Sequence, residues 1–156
     1  MWTNGALQLY GTGVLLSIDY PTTVGVATEG NDVYIAGSFP DTTHAGGYWK
    51  DSVWNTINGG HFAPSSVAAI GSNVCIPGYT YTLTSTTYQQ QAVWWENGTL
   101  NTLEGALATA MVSDGTDLYI LGIDNNSNLV VWKNGNLFAT LGAAGFLGGT
   151  CMAMAN

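Results

Sequence analysis

One sequence unit occurs three times along the chain. A fixed period of about 40 residues restricts the fold to an array or propeller of like modules. Asp32-Val33-Tyr34-Ile35-Ala36-Gly37 returns as Asn73-Val74-Cys75-Ile76-Pro77-Gly78 and as Asp117-Leu118-Tyr119-Ile120-Leu121-Gly122. The three glycines are spaced by 41 and 44 residues. A second unit, Tyr48-Trp49-Lys50-Asp51, returns as Trp94-Trp95-Glu96-Asn97-Gly98 and Val131-Trp132-Lys133-Asn134-Gly135, and Trp2-Thr3-Asn4-Gly5 is a truncated fourth copy.

Both units read as strands. Val-Tyr-Ile-x-Gly is β-branched and aromatic, which suits a pleated, half-buried surface. Asn-Gly after the tryptophan favours a two-residue hairpin turn, because both central residues must take positive φ. No run carries a helical period with caps. Each repeat then holds four strands. The first are 23–28, 66–70 and 108–112, the second 33–37 and its equivalents. The third end at the tryptophans, and the fourth are 53–57, 99–103 and 137–141. The expected fold is all-β, with four-stranded blades of the β-propeller type.

The pairing of Val33-Tyr34-Ile35-Ala36-Gly37 with Tyr48-Trp49-Lys50-Asp51 resembles bacterial propeller-repeat proteins with "vYvaG … YWKNG" motifs. The resemblance covers nearly the whole chain. It implies a propeller fold and says little about chemistry, since such proteins are largely of unassigned function and commonly exported. The recurring Gly-His and Trp-Asp marks of WD repeats are absent, and no kelch double glycine stands in register.

On this reading residues 1–156 form one repeat domain. Blades of about 22–64, 65–106 and 107–142 lie between a partial strand region at 1–21 and a terminal inner strand at 143–156. About three complete blades cannot close a ring of four to eight. The sequence therefore predicts a ring completed by homo-oligomerisation, most simply a head-to-tail dimer, unless the chain belongs to a longer propeller.

Composition excludes several classes of function. Lys50 and Lys133 are the only positive residues, there is no Arg, and ten carboxylates give this acidic chain a net charge of −8. That excludes a nucleic-acid partner held by a Lys/Arg stripe and a polybasic membrane-surface binder. No apolar run of about 18 residues predicts a membrane-spanning helix, and the N-terminus has no signal-peptide pattern. Cys75 and Cys151 both sit in apolar runs and read as buried free thiols.

Candidate site residues fall in connections expected on one face. His44, His61 and Asp41 supply an acid/base set. His44 and His61 are also candidate ligands for a divalent metal such as zinc, without any fixed ligand spacing. The run Asp124-Asn125-Asn126-Ser127-Asn128 offers oxygen ligands for calcium, or simply a turn. The segment 79–90 is uncharged, polar and aromatic. Its Tyr79, Tyr81, Tyr88 and Gln90 suit a sugar, with rings for stacking and an amide for hydroxyl groups. Two functions are thus expected: an oligomeric binding or scaffold module for a carbohydrate or other small ligand, or an ester or phosphoester hydrolase using the histidines, with or without a metal.

Overall fold

Wherever β-branched and aromatic residues alternate between turn pairs, the chain pairs as strands. The computed structural model describes residues 2–3, 6–7, 22–38, 46–58, 61–83, 87–143 and 152. Among these the chain is all-β and contains no helix. A short hairpin of β1 (Trp2–Thr3) and β2 (Ala6–Leu7) comes first. The first sheet, in order, is β3 (Thr22–Glu29), β4 (Asp32–Ser38), β5 (Gly46–Lys50) and β6 (Val53–Thr56). In the second, β7 (Phe62–Pro64) and β8 (Ala68–Ile70) share the flank of β9 (Asn73–Leu83), followed by β10 (Tyr88–Glu96) and β11 (Thr99–Thr102). The third is β12 (Leu107–Ser113), β13 (Leu118–Ile123), β14 (Asn128–Lys133) and β15 (Asn136–Ala143). All pairings are antiparallel between neighbours, and the described residues close no barrel or ring.

The second sequence unit builds the same latch in every sheet. Asp51, Asn97 and Asn134 all have positive φ, of 47°, 43° and 50°. Each side chain accepts a hydrogen bond from a backbone N–H at the start of its repeat's second strand: Val33 at 3.0 Å, Val74 at 3.0 Å and Leu118 at 2.8 Å. Each returns its own N–H to the carbonyl of that residue. The Asx side chain thus ties the hairpin between the third and fourth strands to the second strand, which is why Asn or Asp recurs there. Lys50 and Lys133 complete the corner by pairing with Asp32 and Asp117, each at 2.7 Å. These lysines hold both carboxyls below the usual carboxylate range, and the second sheet substitutes an Asn73–Glu96 hydrogen bond.

Two tests follow from this corner. Asn134→Ala removes the accepted bond and leaves at positive φ a residue that tolerates it less well than Asn, so a loss of about 1–2 kcal/mol in urea unfolding is expected. Ser52 holds φ at 76° where the other two copies have Gly98 and Gly135. Ser52→Gly is expected to raise stability by about 1 kcal/mol, and an unchanged denaturation midpoint would show that this turn carries no strain.

The first strand of every sheet is interrupted at one repeat position. In β3 the register slips between Thr23 and Gly25, and in β12 between Ala108 and Ala110. In the second sheet the break is complete and separates β7 from β8, with Ser65 N donating to Pro77 O at 2.9 Å. In each case the residue before the slip pairs with the repeat glycine, Gly37, Gly78 or Gly122. The first strands lie beside one another. Gly25 abuts Ser66 and Val67, and Ser65 Oγ donates to Ala108 O at 2.7 Å.

Sheets stack in chain order through two apolar seams. The pairs Ile35–Trp49, Ile76–Trp95 and Ile120–Trp132 occupy one register position in their sheets. Strand alternation turns each pair away from Tyr34, Cys75 and Tyr119 on the opposite face. Tyr34 and Ala36 pack with Val74, Ile76, Val93 and Trp95 of the second sheet. Cys75 and Ala92 pack with Leu118, Ile120, Val130 and Trp132 of the third. The stack therefore has a direction, with the Ile–Trp face of each later sheet covering the opposite face of the sheet before it.

Candidate functional site

The hairpin of β9 and β10 extends beyond its neighbours. Segment 79–90, expected as a connection, is instead mostly strand, because its Tyr/Thr alternation continues the pairing out to Leu83 and Tyr88. Period-two alternation puts Tyr79 and Tyr81 on one face. Across the ladder Ala92 opposes Tyr79, Gln90 opposes Tyr81, and Tyr88 opposes Leu83, so Gln90 and Tyr88 share that face. On the other flank Ala63 of β7 pairs with Tyr79, and Tyr81 N donates to His61 O at 3.2 Å.

These pairings gather four rings. His61 stacks on Tyr81 with centroids 4.8 Å apart and planes 18° from parallel. Tyr81 lies 5.8 Å from Tyr88 and 6.3 Å from Tyr79, at tilts of 36° and 45°. Gln90 Nε2 donates to Tyr88 Oη at 3.2 Å, which orients the outermost phenol. Tyr88 is 55% exposed, His61 is exposed, and Tyr79, Tyr81 and Gln90 are half-buried. Burial first, and then the neighbouring Tyr88 and Tyr81, push the Tyr79 phenol above its ordinary pKa, so it remains a protonated donor through neutral pH. No Asp, Glu, Lys or Arg occurs between Asp51 and Glu96. The result is an aromatic strip on β9, β10 and the residue before β7, without carboxylate, ammonium or guanidinium groups, able to stack on a ligand and to offer phenol and amide hydrogen bonds.

The structure thus brings together Tyr79, Tyr81, Tyr88 and Gln90, and adds His61 to them. Sequence reasoning assigned His61 to a separate acid/base or metal set, because residues 58–64 read as a connection. Phe62–Pro64 instead forms β7 on the flank of β9, which places the histidine on a tyrosine. His44 and Asp41 lie outside the described residues. Among the described residues no three His, Cys, Asp or Glu side chains are grouped to hold a metal ion. Asp124 turns its carboxylate onto its own loop, accepting from Asn126 N at 2.8 Å, Asn128 N at 2.8 Å and Asn128 Nδ2 at 3.0 Å. This is turn chemistry. Cys75 is buried with a free thiol, and burial, reinforced by Glu96, pushes its pKa up to about 12, which suppresses the thiolate.

A concavity away from the strip was not legible in the sequence, because two repeats contribute to it. It is a cleft of about 540 Å³ between the second and third sheets, lined by Gln91, Glu104, Asn125, Trp132 and Asn136 among others. Gln91 Nε2 donates to the Leu103, Gly105 and Ala92 carbonyls at 2.6, 3.2 and 3.2 Å, so its amide nitrogen ties the β11–β12 link in place. Trp132 contributes its ring surface only, since its Nε1 is buried. No known family model, curated protein or solved structure matches this chain.

Proposed function

We propose that the chain is a propeller-type binding module that holds a neutral carbohydrate on the strip formed by His61, Tyr79, Tyr81, Tyr88 and Gln90. The observation that carries this reading is the contiguous row of rings centred on Tyr81. The apolar C–H face of a sugar packs on such rings, while Tyr Oη and the Gln90 amide bond its hydroxyl groups. The absence of charged residues over 52–95 disfavours ionic ligands, whose desolvation would go uncompensated. The propeller part rests on the repeat, on the three sheets stacked in one direction, and on first strands lying side by side.

Tyr81 is the residue to test. Calorimetric titration with a panel of neutral oligosaccharides is expected to find a binder. Tyr81→Ala should weaken that binder by about tenfold or more, ~1.4 kcal/mol. Thr82→Ala, which alters the opposite face of β9, should leave affinity unchanged. A panel without any binder, or equal affinity for Tyr81→Ala and the parent, would remove the assignment.

A further inference from the structure

We infer that the cleft between the second and third sheets holds a small hydroxylated ammonium ligand, with Glu104 taking its positive charge. The volume of about 540 Å³ lies within the range of small-molecule sites. The cleft opens where this seam departs from the one before it. Leu100 and Leu137 hold the same repeat position, opposite Trp95 and Trp132. Leu100 packs into the seam between the first and second sheets, whereas Leu137 lines the cleft and stays 56% exposed.

The polar lining is rich in acceptors. Gln91 Nε2 is committed to three backbone carbonyls, which leaves Oε1 as the atom this amide offers a ligand. Asn136 Nδ2 likewise donates to Asn134 O at 3.3 Å, which leaves its Oδ1. Glu104 is an acceptor only, is exposed, and pairs with no side chain among the described residues. Thr102 and Asn125, both exposed, add a hydroxyl and an amide that can give or accept a hydrogen bond.

That balance selects the ligand. Three acceptor groups without matching protein donors call for a ligand that brings donors, and the carboxylate calls for one that brings positive charge. An ammonium group supplies both, with three N–H donors. No lysine or arginine competes for Glu104. Lys50 and Lys133 are the only such residues, and each is paired with an aspartate. Lys133 stands in register with Tyr119, so strand alternation turns it away from Trp132 and the cleft. Ligand hydroxyl groups match Thr102 and Asn125, and Leu137 offers an apolar wall to C–H groups. The tyrosine strip has no carboxylate, so this site is separate from it and stands whether or not a neutral sugar binds there.

Calorimetric titration at about pH 6 with glucosamine, whose amine is protonated there, and with glucose tests this. Glucosamine is expected to bind about tenfold more tightly or better, the scale of one charge-assisted hydrogen bond. Glu104→Gln, a change at an exposed side chain, is expected to bring glucosamine to the affinity of glucose. Tyr81→Ala is expected to keep the preference, which separates the cleft from the strip. Four results would overturn the inference. One is no binding of glucosamine, and another is equal affinity for the two sugars. The third is a preference that survives Glu104→Gln. The fourth is a preference lost in Tyr81→Ala, the mark of a ligand seated on the strip instead.

Discussion

Trp132→Ala is expected to lower unfolding free energy by about 3–5 kcal/mol, the range for truncating a fully buried tryptophan. Trp132 is 1% exposed and lies in the seam between the second and third sheets with Ala92, Leu103, Ile120 and Val130. Its ring rests on two glycines: a β-carbon built on Gly105 would come within 2.8 Å of it, and one on Gly122 within 2.5 Å. Backbone on both sides makes collapse around the truncated side chain difficult, so most of the vacated volume stays as a cavity. In a chain of this size the loss corresponds to a fall of roughly 10 °C in Tm. Tyr88→Ala, at a 55% exposed ring, supplies the contrast and should cost no more than about 0.5 kcal/mol. Equal melting temperatures for the two variants would mean that the sheet-to-sheet seam does not hold the stack together.

Gly78→Ala is expected to be destabilising by about 1–3 kcal/mol and to abolish the carbohydrate binding proposed for the tyrosine strip. Gly78 pairs with Val93 on one side and Pro64 on the other. Its requirement for glycine is one of space, not of backbone angle. An added β-carbon would overlap the Ala63 carbonyl oxygen and approach the buried Phe62 ring to 2.8 Å. Neither obstacle is a flexible side-chain end, so β7 must move away from β9. His61 precedes β7 and its carbonyl accepts from Tyr81, so the stack on Tyr81 should be lost with that movement. Urea unfolding and the oligosaccharide titration read the two effects separately. A variant with full stability and full affinity would mean that β7 does not support the strip. Gly122 stands in the same repeat position and meets the same kind of obstacle, the Leu107 carbonyl and the Trp132 ring. This recurrent close approach accounts for the glycine that closes the first sequence unit.

Much of the sheet structure follows from local signals. Strands expected at 23–28, 33–37, 53–57, 99–103 and 108–112 are found within a residue or two of those limits. The Asn-Gly turns at Asn97-Gly98 and Asn134-Gly135 take positive φ at both residues, as that pair favours. Where reading failed, a distant strand decided the outcome. Phe62-Ala63-Pro64 follows Gly59-Gly60 and ends in proline, both signs of a connection. It is a strand because β9 offers a free flank there, and proline at its last position does not interrupt the run.

The sequence by itself determined the repeat, the hairpins and which residues alternate across each strand, because those depend on neighbours one to four positions away and on turn chemistry. It also placed Tyr79, Tyr81, Tyr88 and Gln90 near one another, since one hairpin carries them all. Only the tertiary structure decided that His61 joins those tyrosines, that a cleft opens between the second and third sheets, and that each Ile–Trp face covers the sheet before it. Those arrangements arise from pairing and burial between residues far apart in the chain, and no local pattern of polarity records which distant face a strand will meet.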